Sequence, residues 1–188
     1  CVPRLGLTDD RKTFVLPDRN FGANADKVVL QSVRGQPNFA QKGTLDAWRA
    51  GIAARAVDNH RLALVLCVGL VGPLAALMGE EVSGFHLVGG SSSGKTTLLR
   101  AAASVWGVGE IGGFMRSWRA TDNGLEGIAA VHNDTLLVLD EINQAAAKTV
   151  SESAYMLANG VGKQRANIIG GAREVTTWRV PFLSSGED

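Results

Sequence analysis

Cysteine is scarce: the chain holds only Cys1 and Cys67 in 188 residues. Two are too few for a disulfide framework, and Cys67 sits in an apolar run, so a reducing, cytoplasmic setting is expected. Histidine is equally thin, and His60, His86 and His132 stand far apart, with no metal-ligand spacing. Excess charge is missing too. The 19 Lys and Arg against 18 Asp and Glu leave +1, so bulk charge argues for no nucleic-acid partner and any basic surface must be local. No secretory signal is visible, and a first residue of Cys rather than Met points to a processed or excised fragment. One charge-free stretch raises a membrane question, Leu62 to Met78. It falls short of the roughly 20 residues a spanning helix needs. It also contains Gly69, Gly72 and Pro73 and runs into Glu80-Glu81. A buried core helix, broken near Pro73, is expected, and no membrane partner.

What is present is enough apolar residue, 45% of the chain, to bury one core with at most a small appendage. The organising stretch is Gly89-Gly90-Ser91-Ser92-Ser93-Gly94-Lys95-Thr96-Thr97. From Gly89 to Thr96 it fits the phosphate-loop pattern, with an apolar run in front (Phe85, Leu87, Val88) and a helix-like run from Leu98 to Trp106 behind. Glycines let successive backbone N–H groups turn inward around a phosphate, and the following helix aims its positive end at the same place. Lys95 has the reach to neutralise β- and γ-phosphate oxygens, and the Thr96 hydroxyl can ligate Mg²⁺. ATP and Mg²⁺ are the expected ligands. A loop that merely connects strand to helix would not need the whole motif.

Residues 1–43 suggest a β-rich appendage, with strands expected at Thr13–Leu16 and Lys27–Leu30 between turn signals. Residues 44–80 suggest a helical layer. Thr44 caps a helix carrying Leu45, Trp48, Ile52 and Ala56 on one stripe and ending near Asn59-His60. Trp48 on that stripe is expected in the core. Residues 81–188 alternate strand and helix. Phe114 to Trp118 suits a second strand, Thr121 to Asn123 caps a helix reaching Val131, and Thr135 to Asp140 makes a continuously apolar third strand. Such a strand suits a parallel sheet covered on both faces.

That third strand ends in Asp140-Glu141, the Walker B pattern. The carboxyl ends of parallel strands gather around the ligand, so Asp140 is expected beside the phosphate loop, one strand over. Asp140 can hold Mg²⁺, and Glu141 can act as general base toward the water attacking the γ-phosphate. The second acid favours an ATPase over a small-molecule kinase, whose acceptor substrate replaces water.

Gln144 to Gly160 is expected to be helical and to stop at Asn159-Gly160. Two extended runs around Ile169-Gly170-Gly171 then make a candidate β-hairpin with Lys163, Arg165 and Arg173 against Glu174 alone. It is either a solvated, aggregation-blocking edge or a contact for nucleic-acid phosphates. The strand Val180–Leu183 ends at Ser184-Ser185. Ser184 and Ser185 there are either plain turn residues or polar groups near the γ-phosphate that orient the attacking water, a role given first to Ser184.

The blocks GFHLVGGSSSGKTTLLRAAASVWG, WRATDNGLEGIAAVHNDTLLVLDEI, AYMLANGVGKQRA and TTWRVPFLSSGE resemble the predicted helicases of phages and integrated plasmids grouped as a domain of unknown function, number 927. The resemblance covers almost the whole chain. It implies an α/β fold with a RecA/AAA+-like P-loop core, often beside primase-type domains in mobile-element replication proteins. By the family pattern Lys95 and Thr96 serve phosphate and Mg²⁺, Asp140 and Glu141 form Walker B, and the segment ending at Ser184-Ser185 resembles the sensor strand. The hairpin before it is similar to the DNA-contacting hairpin of related helicases. The chain stops at Asp188, before the further strand and arginine-bearing lid of AAA+ ATPases. No second sensor is therefore assigned, Arg116, Arg119 and Arg173 remain candidates for completing a neighbour's site in a ring, and weak activity of these residues alone is expected.

The expected function is ATP-driven movement on DNA, single-stranded in the first instance, or its unwinding. Two alternatives stay open: a loader or switch that remodels a protein partner without travelling on DNA, and a non-catalytic nucleotide-binding module. The intact acidic pair argues against the second.

Overall fold

A computed structural model describes residues 1–31, 38–119, 121–144, 147–163 and 175–187. The chain opens with an antiparallel meander of β1 (Gly6–Leu7), β2 (Thr13–Val15) and β3 (Asn20–Gly22), in the order β1-β2-β3. The strand expected at Lys27–Leu30 does not form. Its region is held as a turn by the Asn20 side-chain amide, which donates to the carbonyls of Ala25 at 3.0 Å and Val28 at 2.8 Å. Only Leu30 keeps a bridge, to Val2. Side-chain hydrogen bonding of this kind gives the backbone an alternative to a ladder.

Helix α1 (Leu45–Gly51) is capped by Thr44, whose hydroxyl accepts from the Ala47 N–H at 3.2 Å. It ends well before Asn59. Gly51 closes it, a 3₁₀ turn follows at Ala53–Ala56, and Asn59 caps the next helix by accepting from the Leu62 N–H at 3.1 Å. No residue of α1 is buried. Trp48 is half-buried, with its indole N–H on the Ser104 hydroxyl at 3.0 Å, and so is not a core residue.

Helix α2 (His60–Met78) is not broken near Pro73, where the sequence suggests a break, but runs through it. Proline removes the donor for the carbonyl four residues back, here Gly69. The indole N–H of Trp106 takes that carbonyl at 2.7 Å, so no acceptor is orphaned. By length and composition α2 could cross a bilayer. One face, with Val65, Val68 and the glycines 69 and 72, is buried in the core, and a β-carbon at Gly72 would collide with the Thr135 carbonyl.

The main sheet is four-stranded and parallel, in the order β4-β7-β6-β5. Its strands are β4 (Gly84–Val88), β5 (Arg116–Ser117), β6 (Leu137–Asp140) and β7 (Phe182–Gly186). The period-two alternation of strands divides the core between two faces. Leu136, Val138 and Leu183 pack with α2 and α3 (Lys95–Ala103). Leu137, Leu139 and Phe182 pack with α4 (Asp122–Val131), α5 (Ala147–Asn159) and the tryptophans 118 and 178. Each fully buried leucine contributes roughly 1.5–3 kcal/mol. The fold is thus mixed α/β, with helices on both faces of a parallel sheet.

Candidate functional site

Parallel strands present all their carboxyl ends along one border, where an α/β sheet leaves a crevice. Here β4 leads into residues 89–94 and then α3, β6 ends at Asp140 and β7 at Gly186. A cleft of about 510 Å³ lies along this border. Ser91, Ser92, Ser93, Gly94, Lys95, Thr96 and Thr97 line it from the glycine-serine loop. Asp140, Glu141 and Asn143 face them from β6 and its extension, with Ser185, Gly186 and Glu187 from β7. Gly89 and Gly90 form the loop's base and do not line the cleft.

The loop is wound by its local conformations. Gly94 stands at the N-terminal end of α3 with φ 89°, and Ser92 also adopts a left-handed φ of 59°. The Lys95 ammonium is turned back over the loop. It donates to the carbonyls of Gly89 at 2.6 Å and Gly90 at 2.8 Å, with the Ser93 hydroxyl at 3.4 Å. A cation on a flexible stem is therefore held at the mouth of the first turn of a helix, where an anion is favoured.

Across the cleft, Asp140 is 2% exposed. Its Oδ1 accepts from the Ser185 hydroxyl and from the Glu141 N–H at 3.1 Å. Glu141 is exposed and takes φ 57°, a left-handed conformation that costs a non-glycine residue strain. The turn at the strand end keeps both acids on the cleft. They share the cleft with Thr96, but the expectation that their strand lies next to β4 is not met, because β7 lies between β4 and β6.

Ser184, expected at the cleft, does not line it. Its hydroxyl accepts from the Trp118 indole N–H at 2.8 Å and lies 3.0 Å from His86 Nδ1. Burial holds the His86 ring below its ordinary pKa. Alternation along β7 turns Ser184 to the α4 and α5 face and Ser185 to the α3 face. Ser185, weighed with Ser184 at this strand end, is the serine that lines the cleft, because it shares a face with Leu183 and that face leads to the glycine loop. Asn143, Gly186 and Glu187 are the lining residues that the sequence did not single out as functional.

The oxygen donors present suit a hard divalent cation such as Mg²⁺: Thr96, with its hydroxyl, and Asp140, with its buried carboxylate, line one cleft. Among the described residues no group of three or more His, Cys, Asp or Glu side chains converges as a metal cage. Mg²⁺ typically needs none, since it takes one or two carboxylates and completes its shell with water and substrate phosphates.

Of the basic residues, Lys163 is exposed, and its backbone N–H donates to Glu126 Oε1 at 3.2 Å. Arg165 and Arg173 lie outside the described residues. The chain on either side of them pairs antiparallel, with Val161 bridging Thr177 and the Gly162 N–H donating to the Thr176 carbonyl at 2.8 Å.

The profile of one protein family, described as a domain of unknown function (DUF927), matches residues 1–177. Among solved structures the chain is similar to "SCCmec type IV Cch - active helicase", with a TM-score of 0.70 at 24% identity. That similarity covers 99% of this chain and 36% of the helicase chain, so these residues span about a third of its length. None of the curated proteins compared matches the chain.

Proposed function

Because this chain belongs to the DUF927 family, we propose that it is the ATP-binding and hydrolysing motor of a DNA helicase or translocase serving phage or mobile-element replication. The observation that carries this reading is the meeting of Lys95, Thr96, Asp140 and Glu141 in one cleft. In this reading residues 81–188 are a P-loop ATPase core of RecA/AAA+ type. Residues 1–43 and 44–80 are its β-rich appendage and helical layer. Homo-oligomeric rings and primase-type domains are the partners this reading implies.

The chemistry is phosphoryl transfer to water. Backbone N–H groups of the loop surround the phosphates. Lys95 releases its own carbonyl partners and neutralises charge on the β- and γ-phosphate oxygens. Thr96 and Asp140 would hold Mg²⁺, which would supply further neutralisation of phosphate charge. Glu141 accepts a proton from the attacking water as the bond from the γ-phosphorus to the bridging oxygen breaks, and ADP leaves with that oxygen. Lys163, Arg165 and Arg173 would meet DNA phosphates.

ATP turnover measured with and without single-stranded DNA tests the reading. Stimulation by DNA is expected for a translocase. Turnover indifferent to DNA, together with DNA affinity insensitive to salt in the Lys163→Ala variant and the parent alike, would favour a loader acting on a protein.

A further inference from the structure

We infer that Ser185 is a positioning residue for the metal-binding carboxylate, fixing one oxygen of Asp140 so that the other is presented to the cation that accompanies the nucleotide. The inference rests on the nucleotide-binding reading of the cleft. It assigns to Ser185 a role that differs from orienting water.

Three atoms close a small triangle at the ends of β6 and β7. The Ser185 hydroxyl donates to Asp140 Oδ1, the Glu141 N–H donates to the same oxygen at 3.1 Å, and that N–H lies 3.4 Å from Ser185 Oγ. Ser185 and Asp140 are each 2% exposed, so water does not compete freely for these bonds. A carboxylate oxygen carrying two donors has its ordinary acceptor sites filled. Among the described residues no donor reaches Oδ2. The two oxygens are therefore unequal: Oδ1 is tied to the protein, and Oδ2 is left for a cation.

The bonding of the hydroxyl favours this role over orienting water. A serine has one O–H, and Ser185 commits it to Asp140. It has no further proton to donate, and one of its two acceptor sites already faces the Glu141 N–H. Ser184 lies on the other face, between Trp118 and His86. Partners that orient a metal ligand commonly contribute to metal affinity, with losses of about 10- to 100-fold on their removal.

The test follows binding of a fluorescent ATP analogue, at fixed concentration over a Mg²⁺ series and separately in EDTA, with thermal melts as a check on folding. Ser185→Ala is expected to raise the Mg²⁺ midpoint about 10-fold while leaving affinity in EDTA unchanged. Ser185→Thr, which keeps the donor, is expected to stay near the parent. Ser185→Cys preserves volume with a weak donor and replaces the alanine variant if that one melts early. Ser184→Ala is expected to lower the melting temperature without moving the midpoint. A Ser185→Ala midpoint equal to a measurable parent midpoint overturns the inference and leaves the nucleotide site standing. A parent that binds no nucleotide in either buffer overturns the underlying reading and this inference with it.

Discussion

The Trp106 indole N–H donates at 2.7 Å to the Gly69 carbonyl, the acceptor that Pro73 leaves without a helical donor. One side chain from the segment after α3 thus satisfies the carbonyl that the proline of α2 leaves open. Trp106→Phe keeps an aromatic ring beside Phe14 and Phe39 but removes that donor. The variant should lose about 1–3 kcal/mol in urea unfolding, the cost of an unsatisfied buried acceptor. In a Pro73→Ala background the alanine N–H can take the carbonyl, so the same substitution should cost about 1 kcal/mol less. Equal costs in both backgrounds would show that the indole contributes packing alone.

His132 makes stability depend on acid. Its ring is fully buried between Phe39 and Phe114, with Nδ1 2.7 Å from the Ile128 carbonyl and Nε2 without a partner among the described residues. Burial pushes its pKa from 6.5 down to about 4, and the Arg116 charge adds a smaller push in the same direction. The unfolded chain therefore takes up the proton first as pH falls. Stability from this group is complete above pH 6.5 and is lost between there and about pH 4, on the order of 3 kcal/mol in all. Urea unfolding across that window should show the slope, and His132→Gln should flatten it. A parent whose stability is level from pH 7 to 4.5 would contradict the buried neutral ring.

Lys95→Ala removes the cation but leaves the loop backbone in place. Charge-assisted hydrogen bonds contribute about 1.5–3 kcal/mol each, so ATP affinity measured by calorimetry should fall roughly 10- to 100-fold. The fold should be spared, because Lys95 touches only the loop's own Gly89, Gly90 and Ser93. Unchanged affinity would remove Lys95 from the site.

Much of this was legible in the residues themselves, for reasons that differ from element to element. The glycine loop and the Asp140-Glu141 pair are contiguous chemistry, so local spacing placed them on strand ends that a parallel sheet must gather. Pairing order is not local, and nothing in the chain announced that β7 would lie between β4 and β6. The choice between Ser184 and Ser185 hung on the register of one strand, where a shift of one residue exchanges faces. Pro73 was expected to break α2 because the donor that rescues Gly69 sits far along the chain, in Trp106. The apolar run at Lys27–Leu30 was lost to Asn20, whose amide captures two nearby carbonyls. Trp48 lay on a helical stripe that nothing covers fully, so its spacing suggested a burial the packing does not provide.

The most direct test of the ATPase proposal is steady-state ATP hydrolysis by Glu141→Gln, with ATP affinity measured on the same preparation. A general base typically contributes 100-fold or more. The account predicts affinity near the parent's and turnover reduced by at least about 100-fold. A variant that hydrolyses ATP at the parent's rate would contradict it.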